Sequence, residues 1–348
     1  MCCQGDAEGR KNDRFGPRYK TGERMNKQLL SVDNLRIEFT TRHGTLVAVN
    51  DISFKVNSGE IFGIIGESGA GKSLTGQAII GLLEPPGKIG AGKIKLNDRR
   101  IDNLPYQQMR KIRGKEIGMI FQDPLTSLNP LYTIGRQLIE TIQTHTEMTV
   151  TQAREHAINL LEEVGIPAAG QRIDHYPYQF SGGMRQRVVI ALALCVNPLL
   201  IIADEPTTAL DVSIQAQIIA LLKKLCKDYG TAVILITHDM GVIAEAADRV
   251  AVMYAGRLVE IGQVRQVVKR AVHPYTKGLM KAIPSLNQRA KKLNQIDGSM
   301  PRLSDIPKGC AFHPRCPECV DMCKEKQPDL IDIGAAQVAC WRYHDIKR

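Results

Sequence analysis

The stretch "GESGAGKS", Gly66 to Ser73, constrains this chain more than any other feature. It matches the G-x-x-x-x-G-K-[ST] phosphate-loop pattern in full. The context that pattern needs is also present, with the apolar run "EIFGII" before it and a helical pattern after it. Gly66, Gly69 and Gly71 let the backbone fold its N–H groups around phosphates, with Glu67, Ser68 and Ala70 between them. The start of the following helix adds positive potential there. Lys72 is expected to reach the β- and γ-phosphates of ATP, and the Ser73 hydroxyl to sit on Mg²⁺.

A loop of this kind needs carboxylates from a neighbouring strand, and "LLIIADEP" supplies them. A buried strand ending at Asp204 places one acid at the carboxyl edge of the sheet, where it can help hold Mg²⁺. Glu205 follows at once and is expected to polarise an attacking water as general base. Two more polar residues fall where strands should end. Gln122, in "MIFQDPLTSLNP", is expected to touch the metal or the attacking water, and His238, after "VILIT", the γ-phosphate. Taken alone, either could be an ordinary solvated loop residue. Phe39, before "TTRHG", is a candidate for stacking on adenine, or else a core aromatic.

The wider pattern is α/β. "LSVDNLRIEFT" and "LVAVNDISFKV" read as alternating strands, and "LLIIAD" and "AVILIT" as buried ones. "RVAVMYAGRLVEIG" reads as a hairpin turning at Ala255-Gly256. Residues 133–165 carry apolar positions at helical spacing and stop at Gly165-Ile166-Pro167, so a helical insertion is expected at about residues 123–180. After residue 262 the pattern thins into Pro-, Lys- and Cys-bearing segments, expected to form a separate region through residue 348. Residues 1–27 are polar and unpatterned, and disorder is expected there; Met25 would itself make a sensible start.

"YQFSGGMRQRVV", Tyr178 to Val189, poses a puzzle, because it opens a second glycine-rich helix with no Gly-Lys-Ser. A serine hydroxyl at a helix N-terminus can bind the exposed face of a phosphate without any lysine. The alternative is an N-capped structural helix. The order of the elements resolves the choice. Gly66–Ser73, Gln122, Ser181-Gly182-Gly183, Asp204-Glu205, Ala209-Leu210-Asp211 and His238 together resemble the nucleotide-binding subunit of an ABC transporter, over residues 28–261.

That resemblance implies a P-loop ABC ATPase core, with a mostly parallel sheet, an antiparallel β subdomain and an inserted helical subdomain. It also implies that Ser181, Gly182 and Gly183 cap ATP held by the P-loop of a second ATPase subunit, with Asp211 joining the nucleotide site. "FSGGMRQRV", "IFQDPLTSLNP" and "HPYTKGLMKAIPSL" resemble the dipeptide/oligopeptide importers, a group that includes nickel importers. "MRKIRGKEIGMIFQDP" is similar to the first of the two ATPase subunits such systems carry. Such a chain would work at the cytoplasmic face of the membrane. Its partners would be a second ATPase in head-to-tail pairing, two transmembrane permease subunits and, indirectly, an external substrate-binding protein. One departure is Met184, where the family's signature carries glutamine.

Of nine cysteines, five fall between Cys310 and Cys340, spaced Cys310-x5-Cys316-x2-Cys319-x3-Cys323-x16-Cys340. Thiolates this dense suit zinc, an iron–sulfur cluster or no metal at all. The resemblance favours a [4Fe–4S] cluster on Cys310, Cys316, Cys323 and Cys340, with Cys319 an extra. Cys195 and Cys226 fall in apolar helical pattern and read as core.

The net charge of +10 raises a nucleic-acid reading, so its distribution matters. Lys+Arg against Asp+Glu is 7 to 4 in residues 1–27, 23 to 24 in 28–261 and 16 to 8 in 262–348. The neutral centre leaves basic ends, which suit a solvated tail or an anionic membrane surface as well as nucleic acid. A soluble ABC ATPase acting on nucleic acid or ribosomes is the main rival. Its translation-type members carry two cassettes, and its repair-type members a long coiled coil. Here a single set is present, and only 109 residues separate Lys72 from Ser181. No nucleic-acid partner is expected. No apolar run reaches the roughly 20 residues that span a bilayer, and the N-terminus lacks an apolar signal core.

Overall fold

The computed structural model describes residues 27–42, 44–208, 211–282 and 295–347. The expectations for residues 1–26, for Ala209-Leu210 and for the end of the "HPYTKGLMKAIPSL" run lie outside the described residues. The strands are β1 (Gln28–Thr41), β2 (Gly44–Asn57), β3 (Ile61–Ile65), β4 (Gly87–Leu96), β5 (Arg99–Arg100) and β6 (Ile117–Ile120). Then come β7 (Leu200–Asp204), β8 (Ala232–Thr237), β9 (Arg249–Tyr254), β10 (Arg257–Gln263), β11 (Ile331–Asp332) and β12 (Ala336–Val338).

Two sheets result. One is antiparallel, in the order β2-β1-β4-β5; the other runs β11-β12-β10-β9-β3-β8-β7-β6. In the second, β9, β3, β8, β7 and β6 are parallel, and β10, β12 and β11 continue the sheet antiparallel. Every residue of β3, β7 and β8 is buried, which is why these strands read as unbroken apolar runs. The pleat sorts their side chains to two faces. Ile201 and Ala203 of β7 enter the core that also holds Leu138, Ile142 and Leu160 of the helical insertion. Leu200 and Ile202 enter the core shared with Leu30, Val32 and Ile37 of the antiparallel sheet.

The helical spacing of residues 133–165 is divided between two helices, Ile134–His145 and Val150–Glu163. Thr149 ends the first run by capping the second: its hydroxyl accepts from Gln152 N–H, and the Gln152 side chain accepts from Thr149 N–H. This Thr-x-x-Gln capping box starts a helix where apolar periodicity alone continues one. The hairpin turns at Ala255 (φ 45) and Gly256 (φ 75), as the sequence suggests.

Beyond β10 the chain joins the main body and does not stand apart. β12 pairs with β10 through Glu260↔Val338, Ile261↔Gln337 and Gly262↔Ala336. Glu260 is fully buried, and its carboxylate accepts the N–H groups of Val272 (3.0 Å) and His273 (2.9 Å). Those bonds fold the returning chain over the sheet. There the rings of Tyr275 and Phe312 meet Tyr254 of β9 at centroid distances of 4.7 and 5.2 Å.

Candidate nucleotide site

β3 delivers the chain into Gly66, where a Cβ would lie 2.3 Å from the Met253 carbonyl oxygen of β9, so only glycine fits. Gly71, at φ 98, then turns the chain into the helix Lys72–Ile80. Its Cα faces Val49 and the Ala48 carbonyl, which sets β2 of the antiparallel sheet against the loop. Ser68 and Gly69 are exposed, and Ala70 is buried. Lys72 lies under the loop at 5% exposure. Its Nζ donates to the carbonyls of Gly66 (2.9 Å) and Glu67 (3.0 Å). Burial pulls its ammonium below the ordinary value, against the opposing charges of Glu205, Asp204 and Glu67.

The carboxyl edge of the sheet brings the other candidates to this loop. Ser73 Oγ donates to Asp204 Oδ1 at 3.0 Å. Burial pushes the Asp204 carboxyl up; the Glu205 charge adds to this, while the Ser73 hydrogen bond and Lys72 charge oppose it. A buried carboxylate in that position beside a hydroxyl gains from a cation, so Ser73 and Asp204 fit Mg²⁺. Glu205 sits one residue further, with its backbone at φ 46. For a non-glycine residue that conformation costs on the order of 1 kcal/mol, and such strain gathers at functional positions. Its N–H still donates to the Ile236 carbonyl of β8 at 2.8 Å, which fixes the turn.

Three side chains converge on the Glu205 carboxylate. Gln122 Nε2 donates to Oε2 at 3.0 Å, and Thr208 Oγ1 donates to the same oxygen at 2.8 Å. His238 Nδ1 meets Oε1 at 3.1 Å, from a side chain 59% exposed. Burial raises this carboxyl, but the hydrogen bonds of His238 and Thr208 and the His238 and Lys72 charges outweigh it, and it stays below the ordinary range. Glu205 is thus held ionised and oriented. Thr208 is a member that sequence reasoning missed. Its place three residues after Glu205, within the turn that follows β7, is the only local signal.

The remaining candidates lie elsewhere. Ser181 and Gly182 are exposed at the start of the helix Gly182–Leu194, and the Ser181 hydroxyl accepts from Met184 N–H at 3.4 Å. Gly183 packs on the helix that follows Asp211; a Cβ there would sit 3.1 Å from Ile214. The Asp211 carboxylate caps that helix, Val212–Tyr229, accepting from Ile214 N–H and Ser213 Oγ, both at 2.9 Å. Those bonds hold its carboxyl below the ordinary value. Phe39 is half-buried on β1, opposite Leu46 and Gly87, and packs on the core beneath the antiparallel sheet.

The iron–sulfur expectation finds no support. Among the described residues, no group of three or more His, Cys, Asp or Glu side chains could hold a metal ion. Cys310 and Cys323 pack into the main core, with Cys310 N–H donating to the Cys323 carbonyl at 2.8 Å. Burial, with the neighbouring thiols adding, pushes Cys310 up to about 12 and Cys316 up to about 11. Cys195 and Cys226 are core residues, each pushed up to about 12 by burial.

A phosphate loop on a mixed sheet, an acid pair at the strand ends and a separate Ser-Gly-Gly helix start define an ABC-type ATPase. Comparisons with known proteins agree. The ABC transporter family matches residues 49–208, and the oligopeptide/dipeptide transporter C-terminal region matches residues 259–323. The oligopeptide transport ATP-binding protein OppD of Salmonella typhimurium is 49% identical over 300 residues, covering 86% of this chain and 89% of the relative. The dipeptide transport ATP-binding protein DppD of Bacillus subtilis is 49% identical over 317 residues, covering 90% and 95%. Among solved structures, the dimeric cassette MJ0796 in a post-hydrolysis state with ADP and Pi has a TM-score of 0.62 at 29% identity. It covers 68% of this chain and 99% of that one. The chain belongs to the oligopeptide/dipeptide group of ABC transporter ATP-binding proteins.

Proposed function

We propose that this chain binds and hydrolyses MgATP to drive import of di- and oligopeptides through a membrane transporter. The carrying observation is the Glu205 carboxylate, ionised and gripped by Gln122, Thr208 and His238 beside the phosphate loop. In this reading Lys72 and the loop amides bind the phosphates. Ser73, Asp204 and Gln122 would hold Mg²⁺, which would supply positive charge to neutralise the phosphates. Glu205 takes a proton from the attacking water as the bond to the γ-phosphate breaks, and His238 orients that water or the γ-phosphate. Phe39, packed on the core of the antiparallel sheet but only half-buried, would offer its remaining open face to the adenine ring.

Ser181, Gly182 and Gly183 complete the site of a second ATPase subunit in head-to-tail pairing, with Asp211 fixing the neighbouring helix. The OppD and DppD relatives carry oligopeptide and dipeptide transport in their names, which supports peptide as the cargo. No helix among the described residues is long and apolar enough to cross a membrane, so two permease subunits would provide the channel. The chain would then lie peripherally on the cytoplasmic face, with an external binding protein delivering substrate. Residues 28–261 are assigned as the nucleotide-binding domain and 262–348 as the importer-type extension.

The test is uptake of labelled dipeptides, oligopeptides and nickel by cells carrying Glu205→Gln at the native locus. Loss of peptide uptake alone is the expected result. Loss of nickel uptake alone would move the cargo to the metal, and normal uptake of all three with a dead ATPase would overturn the importer reading.

A further inference from the structure

The phosphate loop is held by a part of the chain outside its own motif. Glu67, the second residue of the loop, pairs with Arg315, 248 positions later. Arg315 Nη1 donates to Glu67 Oε1 at 3.1 Å, to Oε2 at 3.0 Å and to the Tyr254 hydroxyl at 3.3 Å. Its other nitrogens are also engaged: Nε donates to the Asp297 carbonyl at 2.8 Å, and Nη2 to the Ile296 carbonyl at 3.3 Å. The side chain is only 8% exposed, so this is a built contact and not a surface pair.

A second residue of the same segment grips the same position. The Glu67 N–H donates to the Tyr275 hydroxyl at 2.9 Å, and the Tyr275 ring is wholly buried against Tyr254 and Phe312. Glu67 is therefore fixed by its side chain and its backbone at once. Its carbonyl in turn accepts Lys72 Nζ at 3.0 Å and Ala70 N–H at 3.2 Å. The contacts run from the C-terminal segment, through one loop residue, to the lysine.

We propose that Arg315 and Tyr275 are positioning residues for ATP binding: they set the shape of the phosphate loop through Glu67, which makes the segment after β10 a working part of the nucleotide site. Holding the loop in its binding shape beforehand removes an ordering cost that ATP would otherwise meet. The proposal rests on the assignment of Gly66–Ser73 as the phosphate loop.

The experiment is calorimetric titration of MgATP into the purified full-length chain, with melting curves run alongside. Arg315→Ala should weaken affinity about tenfold, as expected for loss of hydrogen bonds to a charged group. Tyr275→Phe, which deletes only the hydroxyl, should weaken it about threefold. Arg315→Lys should recover part of the loss. Because Arg315 acts through Glu67, the Arg315→Ala/Glu67→Ala double variant should bind no more weakly than the weaker single variant. Unchanged affinity in folded Arg315→Ala, or additive losses in the double variant, would overturn the proposal. If Arg315→Ala does not fold, Tyr275→Phe decides, and unchanged affinity there overturns it. Lys72→Ala separates the two readings. If it loses affinity while the Arg315 and Tyr275 variants do not, this inference alone fails; if it too binds normally, the phosphate-loop assignment fails.

Discussion

The two glycine-rich helix starts of this chain make opposite use of their surroundings. The Gly66–Ser73 loop is braced by the rest of the fold while Ser68 and Gly69 stay exposed: Met253 crowds Gly66, Val49 crowds Gly71, Asp204 takes its serine, and Glu67 takes its lysine. The Ser181-Gly182 start is bare. Its serine caps its own helix, and among the described residues a Cβ on Gly182 would meet nothing within 4 Å. The contrast supports the proposed reading, in which the chain carries one phosphate site of its own and one outward-facing helix start for a phosphate brought from elsewhere. In the proposed function a second ATPase domain would bring that phosphate.

Predictions that could break this contrast begin on the braced side. Glu205→Gln keeps the shape of the carboxylate but removes the base, and should slow hydrolysis by roughly 10²–10⁴-fold while ATP still binds. Steady-state phosphate release alongside a binding titration checks both halves. Lys72→Ala should instead weaken ATP binding itself, by about 10²-fold, because a buried charge partner for phosphate is lost. Equilibrium titration with MgATP measures it.

A smaller effect sharpens the account of what supports the braced side. His273 is buried and its Nδ1 accepts Tyr275 N–H at 3.0 Å; burial lowers its pKa from 6.5 to about 3. A histidine depressed in the folded state contributes stability that is present above its unfolded pKa and lost as pH falls toward the folded value. Wild type should therefore lose up to about 1.4 kcal/mol per pH unit from this group as pH drops below its unfolded pKa. His273→Asn should be less stable at neutral pH yet show a shallower loss on acidification. Urea unfolding at a series of pH values reads both slopes.

Much of this was legible in the chain, for identifiable reasons. Strands buried on both faces, such as Leu200–Asp204, leave unbroken apolar runs, and the phosphate loop carries its geometry in its glycines. Asp204 could be placed because it ends a strand, and Glu205, Gln122 and His238 because each follows one. The two-helix insertion was hidden because its break depends on one capping box, Thr149 with Gln152, inside a continuous apolar period. The support from Tyr275 and Arg315 was hidden for a different reason. Contacts across more than 200 positions leave no spacing to read, and only the folded sheet brings them to Glu67. The cysteine spacing suggested metal ligands, and the fold adds no support to that reading: among the described residues no group of three or more His, Cys, Asp or Glu side chains could hold a metal ion.

The claim at the centre is that Ser181-Gly182-Gly183 serves an ATP held by another chain. Gly182→Asp tests it most directly. The site is open, so the fold tolerates the side chain, and an acid in the first turn suits a helix start. The new charge would meet only a phosphate brought from outside. ATP affinity of the isolated chain should be unchanged, while ATP hydrolysis by membranes carrying the whole transporter should fall about tenfold or more, from like-charge repulsion. Unchanged hydrolysis in those membranes, or an equal loss of affinity in the isolated chain, would contradict the account.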